Sequence, residues 1–440
     1  MMPSTTPCLL VPLFALLLAV RPLPGLAADT PPARTIEEVV AATLASEESL
    51  RIAEEEVRKA ELRSRRYLLS LTPDVRATGA YTHLGSQDTG DGNGQGSSES
   101  WAWALTLSQP LYTGGRATAA YRGQKDLEGA LRLEAQLVRR ELAVAAAEAY
   151  YRALAAAETV RIAEQGAALA RRQLELATRR VELGEAVLND QLRAEVTLRR
   201  FEAEIAAAGS ALSQAREAVR RLSGRELAAD PGVPPPLPPV AGEDAALVAE
   251  ALAARLEPQR AQLAVAAAEQ DVREKRGRFL PSLALNASWG EAGERVEERD
   301  WNWTAGVVLE VPLYQRGATP YELREARVGL GQERLRAEAA SRDIEREVRT
   351  LLREIEAARA AIASLRRGVE AAAENLRLAG RRYEVGLADS LEVADAQNAD
   401  VVARVALTTA GYRLEILGVQ LRNALGRAPL PGGPAAAAAR

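Results

Sequence analysis

Val181-Glu182-Leu183-Gly184-Glu185-Ala186-Val187-Leu188-Asn189-Asp190 and Tyr383-Glu384-Val385-Gly386-Leu387-Ala388-Asp389-Ser390-Leu391-Glu392 occupy matching places in two long apolar patterns, 202 positions apart. In each, a glycine interrupts a sustained helical pattern and polar residues begin a new one. That order reads as a helix C-terminus followed at once by a fresh helix start, the turn of a helical hairpin.

Working outward, the same offset reappears. Pro110-Leu111-Tyr112 recurs as Pro312-Leu313-Tyr314, Gly115 matches Gly317, and Gly224 matches Gly426, each 202 residues on and with no gap. An internal repeat at constant spacing implies one rigid length shared by both halves. From Ile344 the apolar residues keep a period of seven through Val348, Ile355, Ile362, Val369, Leu376 and Tyr383, with Leu351, Ala358, Leu365, Ala372 and Ala379 beside them. A period of 3.5 held this long predicts coiled-coil packing. The first half has the same seam in smaller residues, including Ala149, Ala156, Ala163, Ala170 and Ala177, which lets helix axes approach closely. A helix from Arg116 to Leu183 would be roughly 100 Å long at about 1.5 Å per residue.

Ahead of each Pro-Leu-Tyr lies a helical pattern, over 37–71 and 245–279, then a proline (Pro73, Pro281) and alternating residues. Trp101, Trp103, Leu105 and Leu107 alternate with Ala102, Ala104, Thr106 and Ser108; Trp301, Trp303, Ala305, Val307 and Leu309 alternate with Asn302, Thr304, Gly306 and Val308. Residues 75–81 and 283–289 are their partners. Each stretch approaches the ten or so residues of a tilted membrane strand, and all five tryptophans (Trp101, Trp103, Trp289, Trp301, Trp303) fall here, as an aromatic girdle would require. The Gly/Ser/Asp/Asn-rich 85–100 and the acidic 290–300 read as hairpin loops. Four strands cannot close a barrel, and an open edge in lipid leaves backbone groups unsatisfied at several kcal/mol each. Membrane strands here therefore require an oligomer that shares one barrel. Eight strands from a dimer are the minimum, and twelve from a trimer leave a lumen.

The chain divides into an N-terminal segment 1–28, a first repeat 29–228 with its β-hairpin over 74–110 and its tip near 184–190, and a proline-rich linker 229–244. A second repeat covers 245–427, with a β-hairpin over 282–312 and a tip near 386–392, and a tail covers 428–440. The apolar run Leu9–Val20 is short and ends at small residues, so 1–28 reads as a secretory signal, the alternative being an N-terminal membrane anchor. Cys8 is the single cysteine and lies inside it, which excludes disulfides and thiol catalysis from the remainder.

A formal net charge of −4 with no basic block gives nucleic acid no footing. The single histidine, His83, is one donor where metal sites need several. With no glycine-rich phosphate loop either, no catalytic residue, metal or cofactor is expected, and energy for any transport must come from a partner.

The N-terminal segment, the duplicated strand hairpin with its long helical hairpin, Pro-Leu-Tyr-x-x-Gly before each long helix, and Val-Gly-Leu followed by Glu392-x-x-Asp395-Ala396 together resemble the TolC family of outer-membrane efflux proteins. The resemblance covers nearly all of the chain beyond the N-terminal segment. It implies a mostly α fold with a small β part: a homotrimer whose four strands per chain complete a 12-stranded β-barrel in outer-membrane lipid, continued by an α-helical tunnel of coiled-coil hairpins into the periplasm. The family works with a periplasmic adaptor (membrane fusion) protein and an inner-membrane RND, ABC or MFS transporter in Gram-negative bacteria. By the same resemblance Val385, Gly386 and Leu387, with Leu183 and Gly184, are adaptor contacts, and Glu392 and Asp395, with Asp190 and Arg193, form the periplasmic constriction. The first tip departs from the pattern at Leu183-Gly184-Glu185, and Arg193 replaces the second acid. Ala388 stands where the best-known member has an entrance arginine, so that member's closing salt bridges are not carried over. Independently, residues 392 and 395 are three apart and share a helix face; three copies would place six carboxylates round a pore and favour cations. A helix N-terminus also favours acid there for reasons of its own. Arg193 is expected to meet an acid of a neighbouring hairpin. The other function class the sequence allows is a periplasmic coiled-coil scaffold or adaptor with no barrel.

Overall fold

A computed structural model describes residues 31–84, 98–293, 300–314 and 316–430. The expectations for segment 1–28, for most of both hairpin loops and for the end of the tail lie outside the described residues. In chain order the elements are α1 (Ile36–Ser46), α2 (Glu48–Leu69), β1 (Asp74–Leu84), β2 (Ser98–Tyr112), α3 (Arg116–Glu182), α4 (Leu188–Ser223), α5 (Asp244–Ala254), α6 (Leu256–Gly277), β3 (Ser282–Gly293), β4 (Asp300–Glu310), α7 (Ala318–Glu384) and α8 (Ser390–Ala424). Helices α3 and α7 are each 67 residues long and begin and end 202 positions apart. Glycines with positive φ punctuate both halves at the same offset: Gly115 and Gly317, Gly184 and Gly386, Gly224 and Gly426.

The helices read over 37–71 and 245–279 are each two helices. Glu47 (φ −69°, ψ 127°) separates α1 from α2, and Arg255 (φ −74°, ψ 151°) separates α5 from α6. Pro258 explains the second break. A continuous helix would lose the bond to the carbonyl of Ala254 and drive the proline ring into it, whereas the first turn of a new helix needs no such bond. At Glu47 no proline intervenes; Ser46 Oγ donates to the carbonyl of Ala42 at 2.8 Å, and it also reaches the Leu222 carbonyl on α4 at 3.4 Å. The breaks let α1 turn onto α3 and α4, and α5 onto α7.

Beside the sheet the helices neighbour one another in the order α2, α3, α6, α7; toward the tips α3 instead lies between α4 and α8, with α7 beyond α8. The small-residue seam of α3 does what its composition implies. Ala143, Ala146, Ala147 and Ala153 are buried against α1, α4 and α8, around Tyr150 and Tyr151. The Tyr150 hydroxyl sits 2.9 Å from the carbonyl of Arg34 and 2.6 Å from that of Gly232, so one side chain pins both the N-terminal segment and the linker. Burial, with the charges of Glu37 and Glu38 adding, pushes this phenol up to about 12. Lower down, Gly166 is in close contact with the Phe201 ring of α4; a Cβ there would come within 2.9 Å of it.

The strands form one antiparallel sheet in the order β1-β2-β3-β4. Its register sorts the side chains. Tyr81 pairs with Trp101, Gly79 with Trp103, Leu105 with Trp289 and Trp289 with Trp303, so these positions and their i±2 neighbours share a face. That face carries Val75, Leu107, Leu285, Val307 and Leu309 besides all five tryptophans. The opposite face carries Thr78, Thr106, Ser108, Asn286, Ser288 and Thr304, tied by Ser108 Oγ to Asn286 Oδ1 at 2.8 Å and by the hydroxyls of Ser288 and Thr304 at 2.7 Å. Gly290 is fixed by close approach, since a Cβ would lie 2.2 Å from the Trp103 carbonyl oxygen. Pro110 lies inside β2 at a register shift, while β4 stops before Pro312. Strands β1 and β4 each pair on one side only.

A buried carboxylate staples α2 to α3. Glu128 is 1 % exposed, accepts from Ser64 Oγ at 2.7 Å and Lys125 Nζ at 2.7 Å, and is ion-paired with Arg132 Nη2 at 2.7 Å. Burial works to raise its pKa, but the bonds from Lys125 and Ser64 and the charges of Lys125 and Arg132 outweigh it and hold the carboxyl below its ordinary value. Its contribution is therefore complete above the unfolded value near 4.5 and is lost as pH falls through the lower folded value. Glu128→Gln is expected to cost about 1–3 kcal/mol at neutral pH. The deficit against the parent in thermal unfolding should shrink as pH drops toward 3; a deficit independent of pH would refute the ionic origin.

Candidate functional site

Both tips close by the same backbone device. Gly184 N donates to Val181 O at 3.0 Å and Glu185 N to Arg180 O at 2.8 Å; Gly386 N donates to Tyr383 O at 3.1 Å and Leu387 N to Arg382 O at 2.7 Å. With φ of 75° and 78° at the two glycines, these are paired Schellman closures, which a β-carbon would strain. After the second turn Asp389 caps α8 by accepting from Glu392 N at 3.0 Å; α4 begins at Val187 with no side-chain cap.

The closures project apolar side chains outward. Val385 is 69 % exposed, Leu387 71 % and Leu183 73 %, and Val187 and Leu188 are also exposed. The first tip is thus as apolar as the second, although it lacks the Val-Gly-Leu string. Ala388 packs against the cluster of Ala379, Tyr383, Val393 and Ala396, so a small residue there belongs to the tip's core.

The four residues expected at the constriction occupy different settings. Glu392 is half-buried and ion-paired to Arg382, Nη1 to Oε1 at 2.5 Å. Asp395 is exposed. Asp190 accepts from Ser390 Oγ at 3.2 Å, and Arg193 lies 3.5 Å from Asp389 of the same chain's second hairpin. Glu392 and Asp395 share the side of α8 that their spacing dictates, but Arg382 engages one of them.

The sequence reading passed over two arginines at the turns, of which Arg180 joins the hairpins. Arg180 donates Nη1 to the Tyr383 carbonyl at 2.7 Å and Nη2 to the Glu384 carbonyl at 2.6 Å, and stands over the Tyr383 ring at 5.0 Å. It adds a second donor to the Tyr383 carbonyl, already bonded by Gly386 N, and a donor to the Glu384 carbonyl at the end of α7. Arg382, its counterpart in the repeat, turns back to Glu392 and to the Leu387 carbonyl at 3.3 Å. The signal was available: Arg179-Arg180 and Arg381-Arg382 precede the two turns at the constant offset. Burial raises the Tyr383 hydroxyl, the Arg180 charge opposes this and Asp190 adds to it.

At the far end of the helices, the tryptophans lie toward the loop end of one sheet face. The Trp103 and Trp289 rings meet edge-to-face at 4.9 Å, and Trp103 Nε1 donates to Glu291 Oε2 at 3.3 Å, partnering the acid on that face. Trp301 and Trp303 are exposed on β4. Among the described residues no group of three or more His, Cys, Asp or Glu gathers to hold a metal, and no helix is long and apolar enough to cross a membrane.

A strand hairpin pair with one aromatic-rimmed apolar face, joined to helical hairpins of this length, defines a class: subunits of channels in which a β-barrel is continued by an α-helical tunnel. Within it, the chain belongs to the outer membrane efflux protein family, whose model matches residues 39–225 and 247–427. Outer membrane efflux protein BepC of Brucella suis biovar 1 is 28 % identical over 275 residues, 60 % of this chain and 58 % of that protein. Outer membrane protein TolC of Vibrio cholerae is 26 % identical over 292 residues, 64 % of this chain and 66 % of that one. The matched stretch spans less than two thirds of either relative's length. The fold is shared with the crystallised channel protein CusC at a TM-score of 0.80 and 20 % identity, over 89 % of this chain and 92 % of that one.

Arg180 bridges the two hairpins at the tip. In Arg180→Ala the distance distribution between spin labels at Glu185 and Leu387 is expected to broaden relative to the parent; an unchanged distribution would show that apolar packing alone holds the tips together.

Proposed function

We propose that the chain is the outer-membrane exit duct of a tripartite efflux or type I secretion system in a Gram-negative bacterium, conducting substrate passively from an inner-membrane pump. The observation that carries this is the four-stranded sheet with one apolar, tryptophan-bearing face, one face of Ser, Thr and Asn, and two unpaired outer edges. In hydrocarbon, open edges are untenable, and the remedy is closure with other copies. Three copies give twelve strands and a lumen wide enough for solutes. The middle of the inner face is small and uncharged, so the barrel itself discriminates little and selectivity resides at the tips.

In this reading the exposed Val385 and Leu387, with Gly386 shaping their turn, meet the adaptor, and Leu183 and Gly184 do so from the first hairpin. Asp395, Glu392 and Asp190 line the periplasmic mouth, where Arg382 and Arg193 offset part of their charge. The pump, of RND, ABC or MFS type, supplies the energy, and the chain catalyses no reaction. Substrate identity follows the pump.

Membrane fractionation with semi-native electrophoresis tests the duct: the protein should run as a trimer in the outer-membrane fraction, and a soluble periplasmic monomer would favour a scaffold. Leu387→Asp should impair efflux, read as drug susceptibility in cells, without reducing trimer in the outer membrane. Leu183→Asp should do likewise to a smaller degree. Equal losses would mean that the two tips share adaptor contact evenly.

A further inference from the structure

The linker between the two halves contains Val233-Pro234-Pro235-Pro236-Leu237-Pro238-Pro239, a run in which no residue is conformationally free. A proline fixes its own φ at about −65° and holds the residue before it extended. Such a run is a polyproline II helix, with three residues to the turn. Burial along it has that period, and not the alternation of a strand. Pro231 is buried, Pro234, Leu237 and Val240 are half-buried, and every residue between them is exposed. One face therefore lies down on the protein and two faces are presented. The ridge is held from below. Gly232 N donates to the Arg34 carbonyl at 2.9 Å, and the Gly232 carbonyl accepts from the Tyr150 hydroxyl at 2.6 Å. Leu237 N donates to Glu415 Oε2 at 3.1 Å, and its side chain lies on Gly418 of α8, where a Cβ would stand 3.3 Å from Leu237 Cδ1. That bond uses the only N–H between Pro234 and Pro239, so what faces outward is proline rings and carbonyls. The linker and α1 pack as a second layer over α3, α4 and α8. Inside a ring of three copies such a layer would fill the lumen, so the ridge lies on the outer surface, in the periplasm.

We infer that residues 233–239 are a docking ridge for a periplasmic protein domain with an aromatic-lined, basic-rimmed groove. This goes beyond the duct reading above and rests on it for the ridge's place. Three features specify the partner. Pro235 and Pro238 lie one turn apart on one exposed face, and Pro236 and Pro239 on the other, the spacing at which aromatic grooves grip a polyproline II chain. The outward backbone only accepts hydrogen bonds, so the groove supplies donors such as an indole N–H or a phenol O–H. Asp230 before the ridge and Glu243 and Asp244 after it are exposed, and no Lys or Arg occurs between Arg225 and Arg255, so complementarity asks for a basic rim. A ridge already anchored in its bound shape loses little freedom on docking, which separates it from a loose linker of the same composition.

The test uses the full chain in lipid nanodiscs. The probe is a fluorescent WW domain, a small module with an aromatic groove, carrying lysines at the groove's rim. It should bind the parent trimer. Pro235→Ala with Pro238→Ala should weaken binding about tenfold, as emptying an aromatic pocket does, with the trimer intact. Glu243→Lys, at an α5 N-cap that makes no side-chain bond, should weaken it about threefold, as loss of an exposed charge contact does. In cells, a benzoylphenylalanine cross-linker at exposed Val233 should give an adduct with a different protein that vanishes in the Pro235→Ala, Pro238→Ala background. Three results would overturn the ridge and leave the duct standing: binding indifferent to the prolines, adducts only between copies of this chain, or a probe that binds a free 230–244 peptide but not the parent trimer. A parent chain that is monomeric in the membrane overturns both.

Discussion

Backbone amides and carbonyls tolerate no vacancy in hydrocarbon. The sheet offers a face suited to lipid and, on β1 and β4, two ladders of unpaired groups. A single chain in a bilayer would suit the first but leave the second unsatisfied. The rest of the molecule is consistent with a solution in which each edge meets the opposite edge of another copy. The constraint reaches into the helices because α2 leads straight into β1 and α7 follows soon after β4. Whatever brings the strand edges together brings those helices together as well.

The second constraint is length. Two helices of 67 residues must start at one level and end at another, or the hairpins would not finish together. Insertions in either would tilt one tip out of line, and the unbroken offset of 202 between the halves is how the chain meets this requirement. Alanine in the seam of α3 and Gly166 under Phe201 let neighbouring helices lie close. The two tips are then joined through side chains. Arg180 crosses between hairpins, Ser390 meets Asp190, and Arg193 approaches Asp389.

Much of this was legible in the sequence because it depends on period and spacing. Glycines at fixed offset marked every long-helix boundary, and alternation around the tryptophans marked the strands and their apolar face. The breaks at Glu47 and Arg255 were not legible from periodicity, because the apolar pattern continues through them. Pro258 carried the signal for the second break, and the first depends on a contact between Ser46 and α4. At the tips, spacing placed Glu392 and Asp395 on one face, yet Arg382 engages Glu392. Which carboxylate a guanidinium reaches is decided by rotamers and by where the other hairpin lies, and the linear pattern carries neither. Likewise the exposed Leu183, Val187 and Leu188 equal the second tip in apolar surface without sharing its motif.

The account stands on the outer strands being interior to a closed barrel in the assembled protein. Backbone hydrogen exchange of the protein in lipid nanodiscs addresses this most directly. Closure predicts that amides of β1 (Asp74–Leu84) and β4 (Asp300–Glu310) are protected to the same degree as those of β2 and β3. Alternate amides along β1 and β4 exchanging as fast as unstructured peptide, beside a protected central pair, would contradict it.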